Sequence, residues 1–199
     1  SENIARVVNV WRKVYTGGEA LNFKPVLVVD QGVPRWVPNP LGQPVTVESV
    51  RQAIKNSSPN DFWADQNQRR PAVPHFPYLV TAFDTLTYLS FRVVRWQDLW
   101  QQDQPLEVLR AIVAEFVLLS QTYSFDPVIL MIPMAEDLRF HEANQPATYA
   151  HVLEEFRREY EGQLVVVDTL DEDFEASRYQ LRPYQGHTSA YGNQVISAA

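Results

Sequence analysis

Val128-Ile129-Leu130-Met131-Ile132-Pro133 and, thirty residues further on, Leu164-Val165-Val166-Val167-Asp168 are the two stretches that decide the fold class. Each is a continuous apolar run of strand length, the pattern expected of a strand buried on both faces. Between them Tyr149, Val152, Leu153, Phe156 and Tyr160 recur at three- and four-residue spacing, an amphipathic helix that ends near Gly162. Strand, helix, strand at this spacing reads as a βαβ unit with parallel strands and a right-handed crossover, so the expected class is α/β.

Outward from this unit, the upstream half reads as helix, hairpin, long excursion and two helices. Ile4, Val7, Val8, Trp11, Val14 and Tyr15 form one apolar stripe that stops at Gly17-Gly18. Val26-Leu27-Val28-Val29 and residues 33–37 flank Asp30-Gln31-Gly32, which predicts a hairpin with a three-residue loop; Pro34 places its second strand at an edge. Residues 38–77 are rich in Pro and small polar residues, with one helix capped by Thr46, and with Phe62, Trp63, His75 and Phe76 as expected anchors onto the body. Residues 78–100 then read as a core helix with Leu79, Phe83, Leu86, Val93 and Trp96 on one side. A second core helix follows Pro105, carrying Leu106, Leu109, Val113, Phe116 and Val117. Residues 190–198 close the chain as a short helix. The expected organisation is one α/β domain over residues 1–199, with the hairpin and Pro-rich stretch at 24–77 as an insertion.

Composition removes several function classes. Seventeen Lys and Arg against 24 Asp and Glu give a net charge of −7, and the basic residues form no stripe, so a nucleic-acid partner has no electrostatic footing. The longest apolar run, residues 128–135, is far shorter than the roughly 20 residues of a membrane helix, so no membrane span is expected. There is no cysteine, hence no disulfide, zinc thiolate or thiol nucleophile. His141 and His151 lack the helical spacing of a metal pair and read as surface residues, and no cofactor motif is present; neither metal nor cofactor is expected.

In open parallel sheets ligands bind beyond the carboxyl ends of the strands, which puts Glu136, Asp137 and Asp168 in position. Asp168 reads first as a turn cap, because aspartate commonly accepts backbone N–H groups where a strand exits. Asp30 belongs to the hairpin turn and carries no role.

The stretch Arg182-Pro183-Tyr184-Gln185-Gly186-His187-Thr188-Ser189-Ala190-Tyr191-Gly192-Asn193-Gln194-Val195-Ile196 resembles the last motif block of the SGNH/GDSL hydrolases, with the match at His187, Ser189, Gly192, Asn193 and Ile196. The resemblance implies that His187 is the general base of a Ser-His-Asp triad, and that Gly192 and Asn193 are structural members of the motif. An imidazole suits that role because its ordinary pKa lies near neutrality. The order of elements upstream follows the family's last third, and the hairpin with its Pro-rich excursion is similar to an insertion of some larger bacterial members. By this resemblance the fold is a three-layer, flavodoxin-like sandwich around a small, mostly parallel sheet lacking its first strands.

The chain departs from the family pattern twice. The acid position holds Gln185, which accepts an Nδ1–H bond but carries no charge; the matching loss in a serine protease costs roughly 10⁴ in turnover. Asp168, Asp171 or Asp173 are the substitutes, or the family's Ser-His dyad applies. Second, neither a Gly-Asp-Ser block nor a Gly-x-Asn-Asp block is present, so the resemblance is to a carboxyl-terminal portion and the chain alone is expected to be inactive. The implied reaction is acyl transfer from a small-molecule ester or acylated sugar to water or a sugar hydroxyl. One rival is a non-catalytic binding or assembly module on a degenerate hydrolase scaffold, with Trp36, Trp63, Tyr184 and Tyr191 in or beside loops. Another is an interaction protein whose bare strand edges invite a partner chain or self-association.

Overall fold

The structure is a computed structural model that describes residues 23–41, 44–57, 59, 61–62, 79–80, 82–83, 86, 96–182 and 185–199. The expected helix over residues 4–15 and the anchors Trp63, His75 and Phe76 lie outside the described residues, as does Tyr184. The chain is mixed α/β. It divides into two compact units, one within residues 3–112 and one over 113–199, with the boundary inside a single long helix.

The first unit is built on an antiparallel hairpin, β1 (Val26–Asp30) and β2 (Val33–Val37). Asp30 pairs with Val33, so the loop is two residues long rather than three, and Gln31 and Gly32 take φ of +50° and +79°. Two successive left-handed residues match the right-handed twist of the flanking strands, which is why so short a turn closes here. Pairing alternates from Asp30–Val33, so Pro34, opposite Val29, falls at a position that needs no N–H for β1.

Helix α1 (Val47–Ser57) starts where Thr46 and Ser49 exchange bonds: the Ser49 N–H donates to Thr46 Oγ1 at 3.1 Å, and the Thr46 N–H to Ser49 Oγ at 2.7 Å. A 3-10 helix, Trp96–Gln101, follows downstream, with Leu99 and Trp100 buried. Helix α2 (Asp103–Tyr123) starts two residues before Pro105 rather than after it; in the first turn the missing proline N–H would have no helical acceptor anyway. Leu27 of β1 and Val108 of α2 form one core cluster of this unit, with Val29, Phe62, Ala111 and Ile112 packed against them. Phe62 is thus one of the expected anchors. The apolar side expected of residues 78–100 is buried only at its end: Leu79 (83%), Phe83 (71%) and Leu86 (63%) are exposed, whereas Leu99 and Trp100, in the 3-10 helix, are buried. Periodicity orders side chains on a face, but burial needs a second surface to meet that face.

The second unit holds the βαβ region. Strand β3 (Val128–Met131) pairs in parallel with β4 (Val165–Asp168), with Val128 opposite Val165 and Met131 opposite Asp168. Between them lie α3 (Ala135–Glu142) and α4 (Ala150–Glu159). The α4 face is as the spacing predicts, with Val152, Leu153 and Phe156 buried and Tyr149 fully enclosed just ahead of it. The strands differ from expectation. Val128 (50%), Leu130 (42%) and Val165 (52%) are exposed, so one face of this two-stranded pair is open. A continuous apolar run marks a strand that could be covered on both sides; whether it is depends on layers beyond the run itself.

After β4 the chain makes a 3-10 turn (Thr169–Asp171) and the one-turn helix α5 (Ala176–Tyr179). The hairpin β5 (Gln180–Arg182) and β6 (Gln185–Thr188) follows, then α6 (Ala190–Ala198). Leu138, Ala176, Tyr179 and Val195 form a core cluster here, flanked by Leu170, Phe174, Tyr191 and Ile196, so α3, α5 and α6 close around one apolar centre.

Candidate functional site

The carboxyl ends of β3 and β4 carry a buried polar cluster. Asp168 ends β4 and is 7% exposed. Its Oδ1 accepts the Leu170 N–H at 3.0 Å, capping the 3-10 turn, and the Tyr149 hydroxyl at 3.2 Å. Beside it the Thr169 hydroxyl bonds the Met131 carbonyl at 3.2 Å and meets the Tyr179 hydroxyl at 3.3 Å. These bonds tie both strand ends to α4 and α5. Asp137, at 1% exposure, accepts the Met134 N–H on Oδ2 at 2.9 Å and the Thr148 hydroxyl on Oδ1 at 3.3 Å, fixing the start of α3.

Burial sets the electrostatics. It lifts the Asp168 carboxyl above the usual carboxylate range, an effect the Leu170 N–H and Tyr149 hydroxyl partly oppose. Tyr149 is pushed far upward, first by burial and then by the neighbouring charges of Asp168 and Asp137, so its hydroxyl stays protonated and serves as a donor. Tyr179 is raised mainly by burial as well. A carboxylate whose oxygen is already shared by two donors, enclosed by two neutral phenols, holds strand ends together more readily than it exchanges protons with a substrate.

His187 lies elsewhere in this unit, on β6, and is exposed. The local geometry follows from the residues around it. Thr188 pairs with Gln180 across the hairpin, and the Thr188 hydroxyl donates to Asn193 Oδ1 at 2.7 Å. The Ser189 N–H donates to the Tyr179 carbonyl at 2.9 Å, and its hydroxyl bonds the Arg178 carbonyl. The same hydroxyl accepts the Gly192 N–H at 3.0 Å, so Ser189 is the N-cap of α6. Gly192 has a stricter requirement: a Cβ there would stand 2.1 Å from the Tyr179 carbonyl oxygen. The motif residues Ser189, Gly192 and Asn193 therefore fasten α6 to the end of α5 and to the strand that carries His187.

Gln185 opens β6, opposite Arg182 in register. Of the carboxylates considered as substitutes, Asp168 is committed as described, and Asp171 is exposed and paired with Arg157 at 2.8 Å. Asp173 is exposed in the loop before α5. Among the described residues no hydrogen bond or ion pair joins any of the three to His187. Two serine hydroxyls are also occupied: Ser120 is buried with its hydroxyl on the Val117 carbonyl, and Ser189 is the cap. His141 is half-buried, its ring stacked on Phe174 at 5.3 Å, and His151 is exposed. Glu136 is half-buried in the first turn of α3. Asp30 ends β1, exposed.

The cluster members missed from sequence are Tyr149, Thr148, Thr169 and Tyr179. Tyr149 reads as one more apolar residue on a helix face, and only its hydroxyl, which periodicity ignores, marks it as polar. Thr169 carried a usable signal, since a hydroxyl directly after the strand-ending Asp168 sits where backbone groups leave the ladder. No histidine, aspartate or glutamate group suited to a metal ion occurs among the described residues. No helix among them is long and apolar enough to cross a membrane. No family model, curated protein or solved structure matches the chain.

Proposed function

We propose that this chain takes part in ester chemistry of the SGNH type, as a hydrolase or O-acyltransferase acting on a small ester or an acylated carbohydrate, with His187 as general base. In this reading β3 and β4 are neighbouring strands of a three-layer, flavodoxin-like sheet. The observation that supports it is the attachment of the His187 strand. An exposed imidazole sits two residues before the Ser189 cap of α6, with Asn193 bonded to the strand and Gly192 pressed on the Tyr179 carbonyl. Such fastening limits the motion of the base, and a base held near its target proton contributes about 10²–10⁴ in rate. The hydroxyls of Ser120 and Ser189 are committed to backbone partners, so neither is assigned as nucleophile.

Hydrolysis of p-nitrophenyl acetate by the product of the natural open reading frame tests this. Activity is expected, and His187→Ala should remove at least about 10² of kcat. A full-length protein with no esterase activity, or one indifferent to His187→Ala, would refute it.

A second reading, a non-catalytic binding module on the same scaffold, draws support from the acid position. Gln185 cannot ionise, and the carboxylates of Asp168 and Asp171 are engaged by Tyr149 and Arg157. Saturable binding of an unacylated oligosaccharide by a protein inert toward esters would favour it.

A further inference from the structure

The first unit contains a cleft of about 210 Å³ between the β1–β2 hairpin and the first two turns of α2. Its floor is apolar and firm, with Leu27 (6% exposed) and Val108 (4%) both members of the local core. Four polar side chains ring it: Asp30 at the end of β1, Arg35 on β2, and Gln104 and Glu107 three residues apart on α2. Residues at that spacing share a helix face, so one element presents both the amide and the carboxylate to the cleft. None of the four side chains makes a hydrogen bond or ion pair to another described residue. One guanidinium and two carboxylates thus border a common space over an apolar floor, with their hydrogen-bonding capacity unspent.

We infer that this cleft is a binding site for a small zwitterion of the α-amino-acid class. Arg35 receives the ligand carboxylate, Asp30 and Glu107 the ammonium group, and Leu27 and Val108 an aliphatic side chain. The charges select among ligand classes. A simple anion meets two carboxylates, a simple cation meets the guanidinium, and a neutral polyol can hydrogen-bond these groups but neutralises none of the three charges. A zwitterion compensates both signs, and its carboxylate can take two parallel N–H bonds from the planar guanidinium. The inference does not involve His187 and stands or falls apart from the ester reading.

Isothermal titration of the 199-residue chain with L-leucine tests it, with 4-methylpentanoate (no ammonium), 3-methylbutylamine (no carboxylate) and glucose as comparison ligands. Saturable binding of L-leucine is expected with a Kd on the order of 1 mM, weakened at least about tenfold for each half-ligand and for glucose. Arg35→Gln and Glu107→Gln, both at exposed positions, should each weaken L-leucine binding by a similar factor. Failure of L-leucine to saturate, equal binding of either half-ligand or of glucose, or full affinity in Arg35→Gln would each overturn the assignment. The half-ligand comparison uses the unmodified protein and so decides the matter even if a variant misfolds.

Discussion

Gly192→Ala is the sharpest perturbation available, because the atoms its new methyl would meet are all backbone. The added Cβ would lie 2.1 Å from the Tyr179 carbonyl oxygen and 3.1 Å from its carbon, so α6 or the end of α5 must retreat by about 1 Å. Overfilling a packed site of this kind costs about 1–3 kcal/mol. The retreat also loosens two bonds that cross the same contact, from the Ser189 N–H to the Tyr179 carbonyl and from the Ser189 hydroxyl to the Arg178 carbonyl, each worth about 1 kcal/mol. Alanine's better helix propensity returns about 1 kcal/mol. The net expectation is a loss of about 2–4 kcal/mol, which in a protein of this size lowers Tm by roughly 5–15 °C. Because the chain has two units, a single global transition is not assured, and the local readout is amide hydrogen exchange in α6. Protection there should fall by at least about 30-fold, the equivalent of 2 kcal/mol. A variant whose α6 amides exchange as slowly as those of the parent would refute the close approach and the role given to this motif.

Other expectations follow from single residues. Asp168→Asn should flatten part of the pH dependence of stability. The folded-state pKa of Asp168 is raised by burial, so this group's contribution to stability is fully present below the ordinary aspartate range and is lost as pH rises through the folded-state value. Urea midpoints of parent and variant between pH 3 and 7 should therefore converge or cross, and parallel curves would contradict the burial argument. Thr46→Ala removes the acceptor of the Ser49 N–H and should cost about 0.5–2 kcal/mol, visible as faster exchange in the first turn of α1. Gln31→Asn should stabilise the hairpin by a few tenths of a kcal/mol or more, since asparagine tolerates the left-handed φ of +50° better than glutamine; an unchanged or lower urea midpoint would contradict it.

Features set by neighbours in sequence were the readable ones. Thr46 caps the helix that follows it, α4 buries Val152, Leu153 and Phe156, Asp168 caps the turn at its own strand end, and α6 spans 190–198 as expected. Each rests on contacts within about four positions, where the period of a helix or the reach of a short polar side chain decides the outcome. The hairpin was readable in existence but not in loop length, because Asp30 is as able to sit in a turn as to pair with Val33, and the choice lies in cross-strand register. Within the candidate site, the motif residues around His187 were found from their order, whereas the partners of Asp168 were not. Tyr149 lies 19 residues away in the chain and meets Asp168 only because α4 packs under β4.

Sequence alone therefore determined the α/β class, the parallel pairing implied by two apolar runs about a helix, the caps, and the lack of any cysteine thiol in this chain. Tertiary structure decided what covers those elements and what their polar groups touch. It left Val128, Leu130 and Val165 half open, enclosed Asp168 with Tyr149 rather than bringing it to His187, pressed Gly192 against the Tyr179 carbonyl, and gathered Asp30, Arg35, Gln104 and Glu107 around one cleft. The physical reason is that propensity and periodicity act over a turn or a strand. Burial, hydrogen-bond partnership and charge environment depend on surfaces that the chain brings together only when distant segments pack.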